Sequence, residues 1–497
     1  MENENSQSLG LQLNKKTILS ITAVLFAVML LAGVLTQVIP AGEYQRDTQG
    51  SIIGEINGES TYAGLPDFQY SFWRVFIAPL AVFATKDAVT GVAVMLFIVL
   101  IGGTFLILDK GGILKYIMSF IVQKFSHKKY ALLAVMTLVC MALSSVMGIL
   151  EEAITLVPLA AAIALALGWD SLVGVGMSLV ATAFGFTAAT FNPFNIGVVQ
   201  SMAGLPMFSG LAFRLLIFAC VYLILFLFLF RYAKKIEKDP KKSLVYETDL
   251  ALREKYINSI DSDIVKNRNL AKATRTFVLC VSSVVLFAAA GFAARFIKSI
   301  PADVADMLGY LPMVGMAVMF TTGGLLAGHK AGIRGKNLLK AFGAGVKAIA
   351  PAIPLIIFVM GITFILKEGK IIDTMLFYIY NLISGFSPSA SLLIIFVFIL
   401  VLESFIGSGT AKAFLIMPLV LPLADMVGIT RQSIVTAFCL SDGFGNLMFP
   451  TSGVMLIAIG LVNVSYGKFL RWTWKLFAAA FVLCALIMLL AVKINYQ

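Results

Sequence analysis

The chain has 497 residues, of which 60% are hydrophobic and only 13% are charged, and its formal net charge is +12. So few charged side chains cannot cover the surface of a water-soluble protein of this length, which excludes an ordinary soluble enzyme or binding module. Lipid is therefore expected around most of the chain. The positive charge, which in a soluble protein would suggest a nucleic-acid partner, is expected in cytoplasmic loops instead.

Seven stretches are apolar over enough residues to cross about 30 Å of hydrocarbon as helices of roughly 20 residues. The first begins after Lys15 and Lys16 and is too long for the core of a signal peptide, so a retained helix is predicted behind a cytoplasmic tail. Between the seven, further apolar segments are interrupted by Gly, Pro, Asn or acidic residues. The seven stretches are 17–39, 89–108, 211–231, 276–297, 308–328, 349–366 and 473–492.

Loop charges predict the orientation of the chain in the membrane. Loop 231–275 carries twelve Lys and Arg against seven acidic residues, whereas loop 41–70 carries five acidic residues and one arginine. Because cytoplasmic loops are enriched in Lys and Arg, the N-terminus and loop 231–275 are predicted inside and loop 41–70 outside. The sequence thus predicts a multi-pass protein of a bacterial cell membrane, with a cytoplasmic N-terminus.

The sequence repeats itself with an offset of 260 residues: Gly168 and Phe184 recur as Gly428 and Phe444. One copy begins at an outside loop and the other at an inside loop, so two inverted-topology repeats are predicted in an all-α polytopic membrane protein, as in many secondary transporters. The predicted divisions are a tail (1–16), a first helix with an outer loop (17–88), repeat 1 (89–231), a basic loop (232–275), linking helices (276–348) and repeat 2 (349–492).

Each repeat contains two interrupted elements. An apolar segment runs to a polar tip and returns, which predicts re-entrant hairpins over 130–167 and 390–427. A broken helix follows each hairpin, over 172–204 with its break at TFNPFN (190–195) and over 432–463 with its break at MFPTSG (448–453). Such irregular backbone is tolerated at membrane depth only where protein buries it or where it lines a cavity, and there it supplies ligands for substrates and ions.

Two adjacent glutamates at the first tip, Glu151 and Glu152, are the most informative residues. Carboxylates this deep cost about 3 kcal/mol each on insertion scales, so they require cations, protons or water. With the offset of 260 residues Glu152 corresponds to Lys412, and these two could form a salt bridge across a pseudo-two-fold axis. Glu151 would then meet a substrate cation or carry a proton. The alternative is that both glutamates are only members of structural ion pairs.

Polar residues near the other interruptions complete the candidate site. Asp442 could bind a proton or a sodium ion, or it could only cap a helix or form an ion pair. Ser408 and Thr410 could bind substrate or cap a helix, and the asparagines beside Pro193 could only satisfy a turn. The role of Glu403, at the end of an apolar helix, is ambiguous. Arg214 is expected to extend its side chain towards the membrane surface. The substrate-binding candidates are Glu151, Glu152, Asn192, Asn195, Ser408, Thr410, Lys412, Asn446, Thr451 and Ser452, and the ion- or proton-coupling candidates are Glu151 and Asp442.

Several motifs resemble one known family. GILEEAITLVPLA (148–160), NPFNIG (192–197), SDGFGNLMFPTSG (441–453) and VIPAGEYQR (38–46) are similar to the YfcC-like carriers, which group with anaerobic dicarboxylate carriers and arginine/ornithine antiporters in the ion-transporter superfamily. The resemblance implies a homodimer with a scaffold and a mobile domain that moves like an elevator. Sodium-dependent relatives have Ser-Asn-Thr at both tips, whereas this chain has Ser408-Gly409-Thr410 at the second tip and no such pattern at the first.

The sequence therefore favours a secondary active transporter of amino acids, most of all basic ones, working by exchange or by coupling to Na⁺ or H⁺. A carrier of dicarboxylates, other small carboxylates or peptides is the alternative, and a channel or an intramembrane enzyme is a more remote one. No nucleophile, metal or cofactor constellation accompanies the acidic pair, and the two histidines lie among lysines in loops, so no metal site, resident cofactor or enzymatic activity is expected.

Overall fold

The computed structural model describes residues 15–46, 53, 55–56, 59–85, 87–148, 150–151, 153–206, 208–257, 263–283, 311–383, 385–407 and 409–497. These residues are mainly helical. Most of the predicted span 276–297, as well as Glu152 and Ser408, lies outside them. The long helices in chain order are Lys15–Val38, Arg74–Ala81, Asp87–Lys110, Ile113–Phe125, Lys129–Met147, Ala153–Ala166, Ala181–Ala188, Leu211–Lys238, Tyr246–Ile257, Arg268–Ser282, Leu311–Lys330, Lys336–Ile349, Ile353–Glu368, Ile372–Ile383, Pro388–Glu403, Gly409–Val427, Arg431–Gly445, Gly453–Leu461 and Tyr466–Lys493.

Four helices of the described part are long and apolar enough to cross a membrane: Lys129–Val146, Ser171–Ala188, Leu211–Lys238 and Tyr466–Lys493. A fifth span would be formed by Lys336–Ile349 and Ile353–Glu368, which meet at an angle of 43°. The helix Lys129–Met147 was predicted as one arm of a re-entrant hairpin, and its length also suffices for a complete crossing.

Two helix pairs flank the predicted tips. The first helix pair is Lys129–Met147 with Ala153–Ala166, and the second helix pair is Pro388–Glu403 with Gly409–Val427. Each pair is followed by a glycine in the left-handed region, Gly168 with φ +87° and Gly428 with φ +78°. Glycine has no Cβ, so it adopts this conformation at low cost and ends a helix there.

A broken helix follows each pair. The first broken helix comprises Ser171–Ala188, which includes a π-helical turn at Gly176–Val180, and Val198–Met202 beyond an irregular stretch. The second comprises Arg431–Gly445 and Gly453–Leu461. Proline breaks both because it lacks an N–H and clashes with the preceding turn. Every residue of Ser171–Ala188 is buried, so the first broken helix lies in the centre of the molecule.

The described helices form two groups of close packing, which the helix Ile113–Phe125 connects by contacting both Asp87–Lys110 and Ala153–Ala166. Asp87–Lys110 packs on Leu311–Lys330 and Lys336–Ile349. In the other group, Ala181–Ala188 packs on the first arm of the first helix pair and on Arg431–Gly445. Gly443 permits this last crossing, because a Cβ there would lie 2.1 Å from Thr187 Oγ1.

The basic loop contains a docked helix, Tyr246–Ile257, which packs on Ala153–Ala166. The fully buried Asp249 carboxylate accepts hydrogen bonds of 2.8 Å from the backbone N and the Oγ of Ser171, at the start of the first broken helix. Asp170 caps the same helix by accepting from Val173 N at 3.0 Å. Part of the basic loop is therefore fixed against the base of the central helix.

The predicted outer loop carries short antiparallel strands, with Gly42 opposite Gly64 and Glu55 opposite Ser60. It is held to the helix Ile372–Ile383 by Asp373, whose carboxylate receives Arg46 Nη2 at 2.8 Å and Tyr44 N at 3.0 Å. The loop thus covers the first turn of the helix Ile372–Ile383.

Candidate functional site

Three helix ends meet around the ammonium group of Lys412. Lys412 lies in the first turn of Gly409–Val427, Glu403 is the last residue of Pro388–Glu403, and Asp442 lies in the last turn of Arg431–Gly445. Lys412 Nζ forms an ion pair with Asp442 Oδ1 at 2.6 Å and a second with Glu403 Oε2. The side chains of Lys412, Asp442 and Glu403 are 0%, 1% and 2% exposed. We call these three residues the buried triad.

Helix dipoles oppose the charges of the buried triad. The C-terminal end of a helix carries partial negative charge, yet Glu403 and Asp442 lie there, and Lys412 lies at a helix N-terminus, which carries partial positive charge. The three groups therefore depend on one another for charge compensation. Two carboxylates share one ammonium, so with all groups ionised the buried triad keeps one net negative charge.

The two breaks are joined at Asp442. Asn195, from the break of the first broken helix, donates from Nδ2 to Asp442 Oδ2 at 3.0 Å. Asn446 donates from Nδ2 to the backbone oxygen of Asp442. Asn192 is buried and its Oδ1 accepts from the backbone N of Asn195 at 3.2 Å. Residues that lie 247 positions apart in the chain thus form one polar centre.

Glu151 belongs to the edge of this centre. It is half-buried in the turn that precedes Ala153–Ala166, and it lies close enough to Asp442 for their negative charges to repel each other. Within the part of the chain that the structure describes, no cation pairs with Glu151. When Glu151 is ionised, this third carboxylate adds to the net negative charge of the buried triad, and a positively charged ligand would compensate for it.

The other candidates have less specific positions. Ser452 caps Gly453–Leu461 by accepting from Met455 N at 3.3 Å, and Thr451 is buried beside it. Thr410 lies in the first turn of Gly409–Val427. Ser408 and Glu152 lie outside the described residues, so the predicted pairing of Glu152 with Lys412 stays a prediction. Glu403, whose role the sequence left open, is an ion-pair partner of Lys412.

The expectation for Arg214 was wrong. Its side chain does not extend to the membrane surface, because the residue is only 2% exposed. Its guanidinium donates to the backbone oxygens of Phe208 at 2.8 Å, Thr190 at 3.3 Å and Ser209. Arg214 thus satisfies one carbonyl group of the first break, that of Thr190, and two in the turn that precedes its own helix. Hydropathy could not reveal this position, since an arginine near a helix end has the same pattern in either case.

The described residues contain no group of three or more His, Cys, Asp or Glu side chains arranged to hold a metal ion. The arrangement instead combines ionisable groups, amides and freed backbone at two helix breaks. Ionisable residues inside membrane segments commonly mark substrate or ion pathways. The centre can therefore bind a cation or exchange protons.

A family model described as "DcuC: C4-dicarboxylate anaerobic carrier" matches residues 19–493. The chain is 27% identical over 416 residues to an Escherichia coli (strain K12) protein named "Putative basic amino acid antiporter YfcC", an alignment that covers 82% of this chain and 79% of that protein. It is 24% identical over 506 residues to an uncharacterized protein of Haemophilus influenzae, with coverage of 95% and 96%.

Two solved transporter structures are similar over nearly their whole length. The YdaH transporter of Alcanivorax borkumensis has a TM-score of 0.44 and 13% identity, covering 96% of this chain and 99% of that one. MtrF of Neisseria gonorrhoeae, described among antimetabolite efflux pumps, has a TM-score of 0.44 and 15% identity, with 94% of each chain covered.

Proposed function

The chain belongs to the C4-dicarboxylate anaerobic carrier family, and from this premise we propose that it is a secondary transporter whose cargo is a basic amino acid, exchanged across the bacterial cell membrane. The observation that carries the proposal is the net negative charge of the polar centre. Glu403 and Asp442 share a single ammonium group, that of Lys412, and Glu151 lies near Asp442 as a third carboxylate. A cargo with a positive side chain compensates for this charge, whereas a dicarboxylate increases it.

The state of Lys412 also argues against a dicarboxylate. An anion would need a cation that is free to bind it, and Lys412 is fully buried between two carboxylates of the same chain. The Escherichia coli relative carries the name "Putative basic amino acid antiporter YfcC", which agrees with the same cargo class. Glu151 is proposed to bind the cargo cation, with Asp442 as the coupling carboxylate. The remaining proposed binding residues are Glu152, Asn192, Asn195, Ser408, Thr410, Asn446, Thr451 and Ser452, and Lys412 is proposed to take part only through its ion pair with Asp442.

Inverted repeats and an elevator-like movement are part of the proposal. Local geometry supports the repeat, because each left-handed glycine precedes a capping residue by two positions: Asp170 caps the first broken helix and Thr430 caps the second. Phe184 and Phe444, also 260 residues apart, lie with ring centroids 6.4 Å apart. Equivalent residues near a pseudo-two-fold axis are expected to meet in this way. The packing of the helices in two groups agrees with a scaffold and a mobile domain, and a homodimer is proposed by resemblance.

Exchange by purified protein in liposomes tests the cargo. Liposomes loaded with arginine are placed in labelled arginine, and unlabelled arginine, ornithine or succinate is added outside in excess. We expect labelled arginine to accumulate and arginine or ornithine, but not succinate, to compete. Competition by succinate alone would replace the basic cargo with a dicarboxylate.

Two matched variants test the role of Glu151. Glu151→Gln keeps the shape of the side chain and removes its charge, so arginine exchange should fall sharply while the protein stays folded. Asp425→Asn is the control, because Asp425 forms only a half-exposed ion pair with Arg431 at 2.6 Å. Wild-type exchange by Glu151→Gln would remove Glu151 from the site.

A further inference from the structure

We infer that Lys412 acts as a tethered cation at the second tip, so that this tip binds no metal cation and transport does not depend on sodium. The inference depends on the proposed function only in that the chain is a transporter. It does not depend on which solute is carried. It concerns the second tip, where the resemblance to sodium-dependent carriers would predict a metal-ion site.

The position of the ammonium group is the first argument. Lys412 Nζ lies between Asp442 Oδ1 and Glu403 Oε2, its two ion-pair partners among the described residues. A sodium ion prefers oxygen ligands of this kind and would compete for the same charge. Because the lysine belongs to the chain, its effective concentration at the carboxylates is far higher than that of an ion in solution.

The remaining oxygen of Asp442 has no space for an added cation. Asp442 Oδ2 already accepts from Asn195 Nδ2 at 3.0 Å. The backbone of Gly409 approaches so closely that a Cβ at this position would lie 2.5 Å from Asp442 Oδ2. A cation at this oxygen would have to displace an amide donor or move the helix that begins at Gly409.

The charges lead to the same result. A metal cation beside Lys412 would be repelled by an ammonium that is fully buried, where water screens little. Removing the ammonium reverses this situation, because two buried carboxylates would then remain without a cation. Replacing Lys412 with a neutral residue should therefore convert the second tip into a site that binds Na⁺.

Thermal unfolding of the purified, detergent-solubilised protein tests the inference without any cargo. Wild type, Lys412→Gln and Lys412→Arg are compared in NaCl and in choline chloride at equal ionic strength. We expect no sodium-specific shift in melting temperature for wild type or Lys412→Arg. Lys412→Gln should show a melting temperature that rises with NaCl and saturates, because a ligand that binds the folded state stabilises it.

Two results would overturn the inference: a saturable sodium-specific shift in wild type, or no sodium preference in a folded Lys412→Gln protein. If Lys412→Gln does not fold, wild-type exchange in liposomes decides, measured with sodium or choline on both sides. An unchanged rate supports the inference and a loss of exchange in choline overturns it. Failure of arginine as cargo would leave the unfolding measurements unaffected, so the two proposals fail separately.

Discussion

The buried triad should respond very differently to the loss of its cation and to the loss of one carboxylate. Lys412→Met removes the only ammonium and leaves Glu403 and Asp442 buried without compensation. Breaking a buried ion pair in this way costs about 3–5 kcal/mol of unfolding free energy. Asp442→Asn instead leaves one ammonium facing one carboxylate, so the net charge of the triad changes from −1 to zero.

The cost of Asp442→Asn follows from its hydrogen bonds. The amide oxygen of an asparagine can still accept from Asn195 Nδ2, and the bond from Asn446 goes to the backbone oxygen, which the substitution leaves in place. The loss is therefore expected near one hydrogen bond to a charged group, about 1.5–3 kcal/mol, offset in part by the removed repulsion between Asp442 and Glu151. Asp442→Asn should be clearly less damaging than Lys412→Met.

Equilibrium unfolding in mixed micelles, followed by the fluorescence of the four tryptophans, measures both free energies. Combining the two substitutions should recover part of the stability lost in Lys412→Met, because only Glu403 then lacks a partner. Asp425→Asn is again the surface control, with an expected cost below about 1 kcal/mol for a half-exposed ion pair. Equal destabilisation by Asp442→Asn and Lys412→Met would refute the charge accounting.

Two further predictions concern packing and pH. Gly443→Ala should destabilise the protein by about 1–3 kcal/mol in the same unfolding assay, because its Cβ would collide with the backbone of Thr187. Gly467→Ala, at a helical position with open space around it, should be neutral or slightly stabilising. Equal effects of the two substitutions would contradict the helix crossing. Burial, with repulsion from Asp170 as a smaller cause, raises the pKa of Asp249 from 3.8 to about 7. Between these two pH values, Asp249 of the folded protein holds a proton that the unfolded chain has lost. The stability of the wild type should therefore fall relative to that of Asp249→Asn as pH rises, by up to about 1.4 kcal/mol per pH unit, and level off above pH 7. Parallel pH profiles of the two unfolding free energies would contradict this docking of Asp249.

Local chemistry made several features accessible from sequence alone. Apolar length identified helices such as Leu211–Lys238 and Tyr466–Lys493. The breaks in the broken helices fall beside Pro193 and Pro450, where a missing N–H prevents regular helix. The family resemblance agrees with the match over residues 19–493. Each of these features depends on residues that are neighbours in the chain, or on motifs that can be recognised one segment at a time.

The partners of charged groups could not be obtained in this way. The pairing of Glu152 with Lys412, which the repeat offset predicts, stays a prediction because Glu152 lies outside the described residues, but the offset gave no sign that Glu403 and Asp442 pair with Lys412. An offset relates equivalent positions, but a contact depends on how far each helix is shifted and rotated against its neighbour. The burial of Arg214 was missed for the same reason.

The sequence by itself therefore determined that most of the chain lies in lipid, the positions of several helices and of the two breaks, and the family, because hydropathy and proline act over a few residues. Only the tertiary structure decided which ammonium compensates which carboxylate, and which part of the basic loop docks on the central helix. Those contacts join residues such as Asn195 and Asp442, 247 positions apart. Their energies arise from burial and distance, and both quantities exist only once the helices have packed.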